Sequence, residues 1–246
     1  MSQNSLDGSS HLVFVAGDSL FGAGTALASI AGVDRVTHYF PELFDAIKDI
    51  REDWNWKPAD KLIFIAAVDR SSDRQGGLLQ KASEAGAIVD SLDYRDYYPS
   101  PPAGGAPNLP TKFRDGEVSD GSGAGDGQYR VQPSLAPRLS FLLGGVAAGI
   151  SRSSRSRVTG AELLIVAHHF ELKDSLLELV ARGAKVGIAF YRSLMEARWE
   201  RIGLFAANSP IKFYDLDAHV EKVTTLGLRR RPHLPDPSRS AASQLF

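Results

Sequence analysis

The sequence predicts an α/β domain, a three-layer sandwich in which helices cover both faces of a central, mainly parallel sheet. Short apolar runs of strand length alternate with helical segments along most of the chain, and this pattern is typical of parallel sheets. The clearest unit is residues 161–187, AELLIVAHHFELKDSLLELVARGAKVG. It has the pattern of a buried strand, a polar turn, a helix, a glycine turn and a second strand. At 246 residues the chain is long enough for one domain with a substantial core.

The elements of the first half are predicted from the spacing of apolar residues and from residues that end helices and strands. The continuous apolar run 61–68 is typical of a strand buried on both faces. Leu43, Ile47 and Ile50 fall on one face of a helix. A glycine ends the helix that precedes the sequence AIVDSL. We predict strands at 11–15, 36–40, 61–68 and 87–92, and helices at 23–31, 42–53 and 75–86.

The second half begins with an interruption of this alternation. Residues 99–133 are rich in proline, glycine, serine and aspartate, which predicts a flexible insert. Helices are then predicted at 134–150 and 194–205, and a last strand at 211–216, with the 161–187 unit between them. The resulting organisation is an N-terminal tail at 1–10, an α/β domain at 11–220 and a basic C-terminal tail at 221–246.

Composition restricts the cellular setting and the partners. There are no cysteines, so disulfides and thiolate metal sites are excluded and a cytoplasmic location is expected. No apolar run has the length of a membrane span, and the first ten residues lack a signal-peptide pattern. We therefore expect no membrane partner. The net charge of −1 argues against a wholly basic nucleic-acid coat.

A polar turn with His168, His169 and Glu171 follows the predicted strand of the 161–187 unit. In open α/β sheets, catalytic and ligand-binding groups collect at the carboxyl ends of strands. The turn is therefore interpreted as an active-site edge or as the remains of one.

The string Gly17-Asp18-Ser19-Leu20 follows the first predicted strand. It resembles the nucleophile block of the GDSL (SGNH) hydrolases. The resemblance implies an esterase in which Ser19 attacks the ester and Asp217 and His219 serve as acid and base. One residue separates Asp217 from His219, whereas the family pattern has two.

A second resemblance covers about residues 12–216 and rests on the order and spacing of motifs. These are AGDSLF at 16–21, LIFIAAVDRSSDRQGGLLQKASEAGAIV at 62–89, a helix from Arg138, AHHFEL at 167–172 and WERIGLFAANSPIKFYDLD at 199–217. In this order they resemble the NYN domain family, the LabA-like branch of the PIN-related ribonucleases. The resemblance implies a PIN/NYN-like sandwich.

The NYN resemblance implies RNA cleavage by Mg²⁺ or Mn²⁺ held on several carboxylates. The acidic positions of the family fall here on Ala16, Asp18, near Ser140, near Val146, His169 and Glu171. Asp18, His169 and Glu171 are therefore the candidate catalytic and metal-binding residues, and we expect them to face one cleft. With so few acids, we expect catalysis to be weakened or lost. The alternative is a non-catalytic scaffold or assembly module with a protein partner or a second copy.

Each candidate also has a structural interpretation. Asp18 suits the cap of a helix that begins near Phe21, and Glu171 suits the first turn of a helix, where the macrodipole favours acids. His168 and His169 are also compatible with a turn that has no catalytic or metal-binding role.

Basic and aromatic residues are the candidate RNA contacts. Arginines can hold RNA phosphates, and tryptophans can stack on bases, although solvated surface and core packing are the alternatives. The candidates are Arg152, Arg155, Arg157, Arg229, Arg230 and Arg231 for phosphates, and Trp54 and Trp56 for bases.

Overall fold

The computed structural model describes residues 10–68, 73–93, 134–152 and 160–229. The predicted insert at 99–133, residues 1–9 of the predicted N-terminal tail and residues 230–246 of the predicted C-terminal tail lie outside the described residues. Among the described helices, none combines the length and the hydropathy needed to cross a bilayer.

One six-stranded parallel sheet forms the centre of the fold, which confirms the predicted α/β class. The spatial order is β3-β2-β1-β4-β5-β6. The strands are β1 His11–Ala16, β2 Lys61–Val68, β3 Ile88–Asp93, β4 Glu162–Val166, β5 Lys185–Phe190 and β6 Ile211–Asp215.

The helices are numbered in chain order. They are α1 Gly17–Ala31, α2 Phe40–Asp53, α3 Asp73–Glu84, α4 Ala136–Arg152, α5 Lys173–Ala181, α6 Ala197–Arg201, α7 Val220–Val223 and α8 Leu226–Arg229. The last two extend the folded chain beyond residue 220, where we placed the end of the domain.

Helices cover both faces of the sheet and complete three layers. The ring of Phe40 in α2 packs edge-on against Phe64 of β2, with centroids 5.0 Å apart. Arg138 of α4 contacts Asp90 of β3 at 2.8 Å. Phe64 pairs in register with Val89, and successive residues of a strand point to opposite faces. Asp90 therefore faces away from Phe64, and α2 and α4 lie on opposite sides.

The strand order places a topological switch point between β1 and β4. From β1 the chain first builds outward to β2 and β3, and then crosses to β4 and continues to β6. In doubly wound sheets, ligands bind in the crevice at the carboxyl ends of the two strands where the order reverses. Both strands are apolar and almost wholly buried, as central strands require.

The segment 36–40 does not form the predicted strand. His38 makes an isolated antiparallel bridge with Thr224, and Phe40 already begins α2, with a proline in the first turn of the helix. Proline in the first turn is compatible with a helix start and disfavours a continuing strand. The His38 Nε2 atom lies 2.9 Å from the Tyr191 hydroxyl, so this segment joins α2 to the end of β5.

A buried ion cluster holds the amino-terminal edge of the sheet. Glu162, the first residue of β4, accepts hydrogen bonds from the Lys57 amide at 2.8 Å and Lys185 Nζ at 3.0 Å. The buried guanidinium of Arg51 lies 3.4 Å from Glu162, and His11 Nδ1 lies 3.3 Å from it. Burial by itself would raise the pKa of Glu162, but the bonds from Lys185 and Lys57 outweigh it and hold the pKa below its usual value.

We expect Glu162→Gln to lower the free energy of unfolding by about 3 kcal/mol, because it leaves the buried Arg51 charge without its counter-ion. Chemical denaturation measures this. Glu178→Gln is the matched control, because Glu178 forms an exposed pair with Arg182 that contributes about 0.5 kcal/mol. Equal losses in the two variants would show that the Glu162 cluster has no special role.

Candidate functional site at the switch point

The candidate site lies where β1 and β4 end side by side. Val15 and Val166 are paired at the last position of their shared register. β1 passes directly into α1, which places Asp18 and Ser19 in the first turn of the helix. β4 is followed by His168 and His169 and then by a 3-10 turn, Phe170–Leu172.

Gly17 has a packing role at the strand-to-helix junction. A Cβ atom at this position would lie 2.9 Å from the Ile65 carbonyl oxygen and 3.1 Å from the Phe64 ring. A side chain would therefore push α1 away from β2. The glycine of the Gly17-Asp18-Ser19-Leu20 string is explained by this close approach, with or without any catalytic role.

Asp18 is held by three hydrogen-bond partners from three parts of the chain. Its Oδ1 accepts from the Ser19 amide at 2.7 Å. Its Oδ2 accepts from the Leu135 amide, just before α4, at 2.8 Å and lies 2.9 Å from Nε2 of His169. The carboxylate is nearly buried, so these contacts replace water as its hydrogen-bond partners. We call this arrangement the Asp18 latch.

Ser19 lies between the two histidines. Its Oγ is 2.9 Å from His168 Nδ1 and 3.2 Å from His169 Nε2. The two imidazole centroids are 4.5 Å apart, and the His168 ring stacks on Phe190. Ser19 has 0% exposed surface. The hydroxyl is therefore well placed for proton exchange with imidazole but has no open path to a substrate.

The charge state of His168 follows from its surroundings. Burial lowers the pKa of His168, and the neighbouring His169 lowers it further, against the opposite influence of Asp18. His168 is therefore neutral near pH 7. A neutral imidazole both donates and accepts, which suits its contact with the Ser19 hydroxyl.

Glu171 is not part of this cluster. It lies in the 3-10 turn after β4, its side chain is 60% exposed, and its nearest cation is Arg198 at 3.9 Å. The structure thus brings Asp18 and His169 together and leaves Glu171 facing solvent. Among the residues that the structure describes, no three histidine, aspartate or glutamate side chains are grouped to hold a metal ion.

Asp217 and His219 are remote from Ser19. They follow β6, and two strands separate β6 from β1, which corresponds to roughly 14 Å across the sheet. Asp217 accepts hydrogen bonds from the amide and hydroxyl of Ser193, both at 2.8 Å. His219 pairs with the Tyr214 hydroxyl at 2.9 Å. The acid and base implied by the GDSL resemblance therefore serve the β6 end of the sheet.

The predicted arginine contacts fall outside the described side chains. Arg155, Arg157, Arg230 and Arg231 are not described, and for Arg152 and Arg229 only the helical backbone is. α4 begins beside Asp18 and is 17 residues long, so it extends about 25 Å toward the opposite edge of the sheet. The backbone of Arg152 therefore lies far from the switch point.

Sequence reasoning missed the pair formed by Asp90 and Arg138. Asp90, inside the strand predicted at 87–92, is 1% exposed and contacts Arg138 at 2.8 and 2.9 Å. A lone acid inside the apolar run AIVDSL was the available signal, because a buried carboxylate requires a partner.

Comparison with known proteins does not identify the chain. No family model, curated protein or solved structure matches it. The chemistry of the site is therefore inferred from its own geometry.

We expect Asp18→Ala to lower the free energy of unfolding by about 3 kcal/mol, because it leaves the Ser19 and Leu135 amides without their acceptor. Thermal or chemical denaturation measures the loss. Asp34→Ala, at an exposed loop position, is the control and should change stability by less than about 0.5 kcal/mol. An Asp18→Ala variant as stable as the control would mean that the latch holds nothing together.

Proposed function

We propose that this chain is an NYN-like, nucleic-acid-associated module that has lost metal-dependent catalysis. The observation that carries the proposal is the Asp18 latch. Both carboxylate oxygens of Asp18 already accept from protein donors. The order of motifs along the chain supports the NYN-like part of the proposal.

The residues present do not fit a resident Mg²⁺. Magnesium requires oxygen ligands in near-octahedral geometry, usually including carboxylates that can approach within about 2.1 Å. Binding at Asp18 would remove acceptors from the Leu135 amide and from His169. The imidazole suits Mn²⁺ or Zn²⁺ better, but its Nε2 atom faces Asp18 and Ser19. We therefore assign no metal step to this site.

Assembly through exposed apolar side chains of α1 is the competing function. Phe21 and Ile30 are exposed at 59% and 72%, although nine residues separate them and place them on different sides of the helix. No charged residue occurs between Asp18 and Asp34, which is unusual for an exposed helix. A scaffold would use such apolar positions for a protein partner or a second copy. RNA binding is the property that separates the two functions.

We expect no Mg²⁺-dependent cleavage of single-stranded RNA, and at most weak cleavage with Mn²⁺, because Asp18 is the one carboxylate that the described residues bring to the switch point and its oxygens already accept from protein donors. Gel analysis of a labelled RNA with each metal tests this. Glu171→Gln is an informative variant, because its exposed side chain can be changed without disturbing the core. Strong cleavage that is lost in both Glu171→Gln and Asp18→Asn would overturn the loss of catalysis.

Ester hydrolysis is a second candidate activity, supported by the contact of Ser19 Oγ with the neutral His168 at 2.9 Å. A serine nucleophile needs such a base. It also needs contact with its substrate, and the absence of exposed Ser19 surface opposes this activity.

We expect wild-type protein and Ser19→Ala to hydrolyse p-nitrophenyl acetate at the same slow rate, because the hydroxyl cannot reach the ester. Release of p-nitrophenol measures the rate. Ser29→Ala, on the exposed side of α1, is a matched control. A rate that falls to background in Ser19→Ala but not in Ser29→Ala would show that the protein is a hydrolase and would overturn the NYN-like proposal.

A further inference from the structure

A cleft of about 290 Å³ crosses the outer edge of β6, away from the switch point. β6 is the last strand of the sheet, and no described strand pairs with its outer side. Trp54, Arg192, Phe205, Lys212, Phe213 and Asp215 are among the residues that line the cleft. The volume lies just below the roughly 300 Å³ at which small-ligand sites begin.

The aromatic walls of the cleft are fixed by packing. Phe205 and Phe213 contact each other edge-on, with centroids 4.7 Å apart. Trp54 lies against Gly187 of β5, where an added Cβ would come within 2.2 Å of the indole. The missing side chain at Gly187 therefore makes room for Trp54. Rigid aromatic rings at a surface are suitable platforms for stacking.

Two cations lie over these rings. The Arg192 guanidinium carbon is 4.8 Å from the centroid of Phe205. Lys212 Nζ is 5.4 Å from the centroid of Trp54 and 5.8 Å from that of Trp56. Both side chains belong to exposed residues, and neither forms an ion pair within the part of the chain that the structure describes.

The acid that lines the cleft does not neutralise these cations. The Oδ1 of Asp215 accepts from the Arg192 backbone amide at 3.2 Å and from the Asp217 amide at 2.9 Å. This carboxylate therefore organises the loop after β5. Among the residues that line the cleft, two cations accompany one acid, so the lining itself carries one net positive charge.

We propose that this cleft binds one nucleotide unit of single-stranded RNA. A base stacks on the guanidinium of Arg192, which Phe205 supports, or on Trp54, and the adjoining phosphate contacts Arg192 and Lys212. Single-stranded RNA is recognised by stacking on aromatic rings and arginine planes together with phosphate contacts. The proposal rests on the proposed nucleic-acid association and gives it a location.

An acidic peptide is the other ligand that two cations at a sheet edge suggest. Nucleotide binding is favoured because each cation is paired with a flat aromatic surface, and a peptide carboxylate makes no use of such stacking planes. The peptide is therefore an outcome of the test.

The test measures binding of a fluorescein-labelled, twelve-nucleotide single-stranded RNA by fluorescence anisotropy at several salt concentrations. The double variant Arg192→Ala/Lys212→Ala removes the two cations. The matched control is Arg35→Ala/Lys81→Ala, which removes the same charges from exposed positions elsewhere. Thermal unfolding verifies that both double variants are folded.

We expect the cleft variant to bind RNA about tenfold more weakly, and its dependence of log K on log salt to be shallower by about 0.7, because the one phosphate held by Arg192 and Lys212 is no longer neutralised. The control should bind as the wild type does. No RNA binding by the wild type would refute the proposed function itself.

Three further results would refute the cleft alone and leave RNA association standing. The first is a cleft variant that binds RNA as tightly as the wild type. The second is an equal loss in the control variant. The third is unchanged RNA binding by the cleft variant together with loss of oligoglutamate binding by the same variant, which would assign the cleft to an acidic peptide.

Discussion

The hydrogen bonding of Asp18 is the constraint on which the centre of the molecule depends. This nearly buried carboxylate joins the first turn of α1, the residue that precedes α4 and the polar turn after β4. Leu135 and His169 both lie more than a hundred residues after Asp18 in the sequence. His169 reaches Asp18 because β1 and β4 are neighbours. A buried carboxylate without such partners would be strongly destabilising. The latch therefore closes the crevice that the strand order creates.

The two central strands carry one buried acid at each end, and the comparison clarifies what each acid does. At the amino edge, the Glu162 carboxylate lies beside the cations of Arg51 and Lys185, so its main partners are opposite charges. At the carboxyl edge, Asp18 is held by two backbone amides and one histidine. Neither arrangement leaves a carboxylate free for a ligand. Both sets of partners are typical of acids that stabilise a fold. The switch point therefore differs from a site in which several free carboxylates converge on one ligand.

Local pattern predicted the strands well, because burial on both faces leaves a continuous apolar signal. The run Lys61–Val68 forms a strand with the predicted bounds. The segment 36–40 failed because its apolar and aromatic residues imitate a strand, although the following proline starts a helix. The site was predicted in part: neighbouring strands bring Asp18 to His169, but a 3-10 turn directs Glu171 to solvent. The spacing of residues in the sequence does not show that the turn points the Glu171 side chain away from Asp18. It also does not show that the Leu135 amide, which follows the predicted insert, binds Asp18.

The position of the β6 cleft follows from how the sheet is completed. At the switch point, Asp18, Ser19 and the two histidines use one another as hydrogen-bond partners, and Ser19 has no exposed surface. At β6 the sheet ends, so rings from both faces approach the same strand edge and their cations stay in solvent. An exposed cation that stacks on a ring gains a modest attraction and keeps its hydration. It can therefore exchange water for phosphate at little cost. Within the part of the chain that the structure describes, the β6 edge is where exposed cations lie on aromatic rings, and this is the reason for placing the proposed ligand there.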